Sequence, residues 1–168
     1  MNLKLILRKI IIAIGIASIS SGCRPVLFPV NISLPVDLSR DGSTSDQEIN
    51  LLFDDNYEIE LQFHSSTNWA PGDKKLINYL GGESGNLSGV VIPVQIIIVK
   101  INDKNKKIII DKLFKTKGIS GIGEKIIIRK ISAVQLNSGI YHVKIINKNN
   151  NVELSDVNAR LVIHYFRR

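Results

Sequence analysis

The chain has 168 residues, with 22 Lys and Arg against 15 Asp and Glu, for a formal charge of +7. That length holds one domain with a single core, and the lone cysteine, Cys23, excludes an internal disulfide. The basic residues are not interleaved with aromatics, as base-stacking surfaces require, so no nucleic-acid partner is expected.

Residues 1–9 carry Lys4, Arg8 and Lys9, and the apolar run IIIAIGIASI and then Ser20-Ser21-Gly22-Cys23 follow. A basic start, a short apolar stretch and a small-residue end make a secretory signal peptide. The run is shorter than the roughly 20 apolar residues a membrane span needs. The layout resembles a bacterial lipoprotein signal, with Ser20 where such signals usually carry Leu. The resemblance implies cleavage after residue 22, a diacylglyceryl thioether on Cys23 and an acylated amino group. Several acyl chains together make a stable anchor where one is marginal. Arg24 stands where an Asp would favour the inner membrane, so the expected location is the envelope, facing the periplasm, at the outer membrane. Cleavage removes Lys4, Arg8 and Lys9 and brings the formal charge from +7 to +4.

Pro25, Pro29 and Pro35 disfavour helix in residues 24–35. The expected organisation is a signal peptide over 1–22, a lipidated tether over 23–34 and one domain over 35–168. Residues 57–64 alternate cleanly, with Tyr57, Ile59, Leu61 and Phe63 opposite Glu58, Glu60, Gln62 and His64. Period two marks a half-buried strand. Residues 46–53 read similarly, with Gln47, Ile49, Leu51 and Phe53 on one face. Asp54-Asp55 reads as a hairpin turn.

Residues 73–80 predict the one helix of the mature chain, with Asp73 as N-cap, Leu76, Ile77 and Leu80 on one face, and Gly81-Gly82 as its stop. Residues 91–102 and 107–114 hold apolar runs and read as buried strands. Residues 118–123 (GISGIG) read as a flexible loop. Residues 125–136 predict a strand bent near Ser132. Asn137-Ser138-Gly139 predicts a tight hairpin into a strand over 140–146, and 159–166 form the last strand. The expected fold is mainly β, an antiparallel β-sandwich of about eight strands with one short helical insertion.

Charge is divided along the chain. Residues 23–85 hold four basic and ten acidic side chains, and residues 86–168 hold fifteen basic and five acidic ones. Either strands of the two halves interleave and mix these charges, or the asymmetry marks an interaction surface.

Three blocks are similar to one family: Pro35-Val36-Asp37-Leu38-Ser39, the helix end Leu80-Gly81-Gly82, and Lys130-Ile131 with Val134-Gln135-Leu136-Asn137-Ser138-Gly139-Ile140-Tyr141-His142-Val143. With the lipoprotein signal, they resemble the Gram-negative lipoproteins catalogued as domain of unknown function 5625. The resemblance implies one sandwich domain on a lipid tether, and it transfers no activity and no functional residue.

No catalytic constellation emerges. His64, His142 and His164 sit in different strands with no partner at i, i+2 or i, i+4, so each reads as a surface or boundary residue, and no metal site or cofactor is expected. Gly82-Glu83-Ser84-Gly85-Asn86 lacks the last glycine of a nucleophile elbow. Trp69, the only tryptophan, lies in a polar stretch beside Lys74 and Lys75. Tryptophan is enriched at binding hot spots, so Trp69, Lys74 and Lys75 are the candidate partner-binding residues; the alternative is that Trp69 staples the helix to the core. The expected function is a membrane-anchored, non-enzymatic protein-binding module. Its concrete version is an immunity protein against a secreted antibacterial effector; the alternative is a structural or accessory lipoprotein of an envelope or secretion assembly. An exported hydrolase would need a histidine beside a carboxylate in a deep cleft.

Overall fold

Alternation of apolar and polar residues governs the chain from Ile32 onward. The computed structural model describes residues 32–64, 71–81, 89–102 and 105–165, and the side chains of 71–73 lie outside that description. Nine strands are formed among the described residues: β1 (Ile32–Val36), β2 (Thr44–Leu51), β3 (Asp55–His64), β4 (Ile92–Asn102), β5 (Asn105–Thr116), β6 (Gly121–Ile122), β7 (Ile126–Leu136), β8 (Gly139–Asn147) and β9 (Asn158–Tyr165). One helix, α1 (Pro71–Leu80), joins β3 to β4, and a short 3-10 turn at Val152–Leu154 precedes β9.

The strands make two antiparallel sheets. The five-stranded sheet runs β1-β9-β3-β7-β6 and the four-stranded sheet runs β2-β8-β4-β5. Their inner faces share one aliphatic core. Leu34, Ile59, Leu61 and Leu161 of the first sheet and Val94, Ile96, Ile98 and Val143 of the second are at most 1% exposed. Helix α1 adds Ile77 and Leu80 to that core, while Leu76 packs at its margin. The helix ends at Gly81, whose φ of +143° few other residues tolerate. Returning chain passes so close that a Cβ on Gly89 would collide with the Leu80 carbonyl.

The expected alternation in β3 holds, and the bend expected near Ser132 is a register shift. Ile59 pairs with Ser132 but Glu60 pairs with Lys130, leaving Ile131 as the extra residue. Four expectations are corrected. The sheet begins at Ile32, inside the stretch assigned to the tether, because Leu34 is buried against β9. Residues 118–123 include an edge strand, since Gly121 and Ile122 pair with β7. The turns at Asp54-Asp55 and Asn137-Ser138-Gly139 are not hairpins. Each carries the chain from one sheet to the other, β2 to β3 and β7 to β8, because the strands on either side pair elsewhere.

Those two arches are fixed by the same device. The Tyr57 hydroxyl donates to the Phe53 carbonyl at 3.1 Å, and the Tyr141 hydroxyl donates to the Asn137 carbonyl at 2.7 Å. Each buried tyrosine thus holds the chain four residues upstream, as the corner tyrosine of other sandwiches does. Asp54 links the arches by accepting from the Ser138 amide at 2.5 Å. That hydrogen bond holds the Asp54 carboxyl below its ordinary range, with nearby Lys100 a smaller contribution.

Two buried polar side chains close the ends of the sandwich. Asn147 is fully buried and donates to the carbonyls of Leu38, Arg40 and Asn149 at 2.7–3.0 Å, fixing the β1–β2 connection. Arg129, 1% exposed on the inner side of β7, donates to the carbonyls of Leu80 at 2.6 Å, Val90 at 3.0 Å and Thr116 at 3.3 Å. Its guanidinium lies 5.9 Å from the Phe63 ring, and no carboxylate pairs with it among the described residues. Burial pulls it down to about 10, so it remains charged at neutral pH. One cation therefore joins the end of α1, the entry to β4 and the end of β5.

Replacing Arg129 with Met strands three carbonyls, each worth about 1–3 kcal/mol when left unpaired. A loss above about 3 kcal/mol in urea unfolding is expected, and a loss below about 1 kcal/mol contradicts this role. The lowered Asp54 carboxyl contributes stability above its unfolded pKa, and that stability is lost as pH falls through the folded value. Stability measured below about pH 5 should therefore fall less steeply in Asp54→Asn than in the wild type; parallel acid limbs would refute it.

Candidate functional site

A two-layer sandwich covers one face of each sheet, so the two outer faces carry whatever the protein presents. On the four-stranded sheet, Ile96 and Ile98 point inward, which turns Ile97, Val99 and Ile101 outward. Cross-strand partners share a face. Register therefore sets Ile108 beside Val99, Leu113 beside Gln95, and Ile140 beside Ile101. Ile108 is 62% exposed, Leu113 49% and Ile140 40%. Ile97, Val99, Ile101 and Ile146 are half-buried. Polar residues normally occupy this side of an antiparallel sheet. Here Asp111 and Lys144 flank Ile97 and His142 flanks Val99, so the exposed aliphatic residues form a patch interrupted by charge. Exposed apolar groups in this number mark a contact surface. The sequence had read residues 107–114 as a buried strand. In the fold β5 is an edge with a single neighbour, and most of it is exposed.

Charge frames this face asymmetrically. On this face the β2 edge carries Asp46 and Glu48, β8 carries His142 and Lys144, and the β5 edge carries Lys106, Asp111 and Lys115, while Lys107 and Lys112 pair with the inward register of β4. The division of charge along the sequence thus becomes a division between the two edges of one sheet. In the five-stranded sheet the halves do interleave, and the Lys130 ammonium pairs with Glu58.

The outer face of the five-stranded sheet is polar and more protected. Pairing of β3 with β9 sets His164 opposite Glu58. The side chains of Glu58 and Glu60 are only 10% and 9% exposed. His164 Nε2 lies 3.2 Å from Glu60 Oε2 and 3.9 Å from Glu58 Oε2, and its Nδ1 faces the Tyr165 carbonyl at 3.3 Å. Gln62 Nε2 donates to Glu60 at 3.3 Å.

The remaining histidines differ. His142 Nε2 pairs with Asp46 at 2.9 Å on the open aliphatic face. His64 Nε2 is buried with no hydrogen-bond partner among the described residues, and burial, aided by nearby Arg160, lowers its pKa. None of the three hydrogen-bonds a serine or threonine hydroxyl among the described residues. Lys74 and Lys75 are exposed on α1, whereas Trp69 and Cys23 lie outside the described residues. Sequence reading missed both faces. Ile97, Val99 and Ile101 were visible as a second apolar register in residues 91–102, and only strand order reveals that nothing among the described residues covers it. Glu58 and Glu60 were recognised as one face, but His164 is about a hundred residues away in sequence.

The family described as Domain of unknown function (DUF5625) matches residues 33–165. A crystal structure of a protein from Sulfurospirillum deleyianum is similar over 83% of this chain and 99% of that chain, with 27% identity and a TM-score of 0.72. A structure of infectious bursal disease virus, Gx strain, aligns over 82% of this chain and 30% of that chain at 10% identity, and its TM-score of 0.29 carries no argument. None of the curated proteins matches.

Proposed function

This chain belongs to the DUF5625 family, and from that premise we propose that it is a lipid-anchored, non-enzymatic module of the bacterial envelope that binds a protein through the outer face of its four-stranded sheet. The observation that carries this reading is the aliphatic patch of Ile97, Val99, Ile101, Ile108, Leu113 and Ile140, which nothing among the described residues covers. Covering a full aliphatic side chain is worth about 1.5–3 kcal/mol, so the part-exposed Ile108, Leu113 and Ile140 would contribute roughly 1 kcal/mol each. On this face β5 carries Lys106 and Lys115 with Asp111 between them, so the partner fits best as an aliphatic patch with polar groups of both signs at its margin. An edge strand with charged side chains resists open-ended pairing with its own kind, which favours docking by the face.

The anchor rests on the signal sequence. A chain tethered at Cys23 and facing the periplasm presents its sandwich to exported proteins. A secreted antibacterial effector is the partner that an immunity role requires, and a subunit of an envelope or secretion assembly is the partner of the accessory role.

The full chain, expressed in its native host with a photocrosslinking residue at Ile108 or Leu113, should give one discrete heavier adduct. The same residue at exposed Gln135, on the other sheet, should give none. Equal adducts from all three positions, or none from any, would overturn the docking surface. Mass spectrometry of the adduct separates effector from assembly subunit. A double Ile108→Asp, Leu113→Asp variant, crosslinked from position 140, should lose the adduct while its stability changes by no more than about 1 kcal/mol in total. Cys23→Ser should move the chain from the membrane fraction to the soluble fraction; unchanged membrane association would contradict lipidation.

A further inference from the structure

Glu58, Glu60 and His164 bring three electron-pair donors within 4.8 Å of one another on the outer face of the five-stranded sheet. Together they offer one nitrogen and two oxygens to a single point. A carbonyl oxygen can only accept, so the contact of His164 Nδ1 with the Tyr165 carbonyl at 3.3 Å places the ring proton on Nδ1. In the neutral ring this leaves the Nε2 lone pair directed at Glu60 Oε2, 3.2 Å away. Either a proton on Nε2 or a metal ion held between the two atoms relieves the repulsion of their lone pairs, and metal titration distinguishes the two. Glu58 adds a second carboxylate. Its residue is 8% exposed, Lys130 pairs with its Oε1, and its Oε2 faces His164 at 3.9 Å.

We propose that Glu58, Glu60 and His164 form a binding site for a divalent transition-metal ion of the zinc class, independent of the protein-binding face. Zinc takes imidazole nitrogen and carboxylate oxygen at about 2.0–2.2 Å in tetrahedral geometry, which puts neighbouring ligand atoms roughly 3.4 Å apart. The two observed separations from Nε2, 3.2 and 3.9 Å, bracket that value. The outer contacts fit as well. Metal-bound imidazoles usually donate their other N–H to a carbonyl or carboxylate, and ligating carboxylates are usually hydrogen-bonded in turn. Tyr165 and Gln62 fill those roles here. A nitrogen with two carboxylates selects zinc, cobalt or iron over calcium or magnesium. Three protein ligands leave a fourth position open to water or to a donor from another molecule.

The full chain, purified in detergent and stripped with chelator, should give the intense visible bands of tetrahedral cobalt when titrated with cobalt(II), and zinc should displace them. Glu60→Gln and His164→Gln should each weaken binding by about 10- to 100-fold. His142→Gln, which removes the other histidine–carboxylate pair, should leave it unchanged. Absence of the cobalt bands, or their persistence in His164→Gln, overturns the site. If either variant fails to fold, the imidazole nitrogen resonances of the wild type decide. Zinc should shift His164 Nε2 strongly and leave His142 in place, and the reverse pattern overturns the assignment.

Discussion

A two-layer sandwich can cover only one face of each sheet. That limit organises everything unusual about this protein. The chain carries enough isoleucine and valine to make several strands apolar on both sides, yet the described residues supply one opposing layer. The core takes Ile96 and Ile98, and the next register, Ile97 and Val99, remains on the outside. On the opposite sheet the limit acts the other way. Glu58 and Glu60 lie on an outer face but in a central strand flanked by β7 and β9, where long neighbours shelter them. The same geometry leaves aliphatic groups exposed on one side of the molecule and shelters carboxylates on the other.

The arches decide which residues land where. Had Asn137-Ser138-Gly139 closed a hairpin, β7 and β8 would lie side by side and the basic second half of the chain would be gathered in one sheet. Instead the chain changes layers at each arch, and the tyrosines at 57 and 141 fix both crossings by the same hydroxyl-to-carbonyl bond. Layer switching sends acidic β2 and lysine-rich β5 to opposite edges of one sheet, and puts acidic β3 beside Lys130 in the other. Arg129 then locks the end where α1, β4 and β5 converge, through three carbonyls and with no carboxylate partner among the described residues.

Much of this was legible in the residues. Period two exposed the strand character of residues 57–64, the glycine stop exposed the end of α1, and the bend at Ser132 was visible as an interruption of alternation. The family resemblance was carried by blocks that lie within the matched residues 33–165. What the sequence could not convey was strand order. A run such as Ile96-Ile97-Ile98-Val99 is compatible with a strand buried on both faces or on one, because periodicity reports the strand and not its neighbours. The turn at Asn137-Ser138-Gly139 has hairpin composition, and only the pairing of β8 with β2 and β4 shows that it is an arch. The Glu58–Glu60–His164 cluster has the same origin, since it exists only because β9 pairs with β3.

The account rests on the outer face of the four-stranded sheet being covered in the native setting, and hydroxyl-radical footprinting of the side chains tests this directly. In the purified full chain, Ile108, Leu113 and Ile140 should label readily, as their exposure of 40–62% dictates. In intact cells the same three side chains should be strongly protected, while Gln135 on the opposite sheet labels equally in both. Equal labelling of the aliphatic face in cells and in the purified protein would mean that nothing docks there, and would contradict the account.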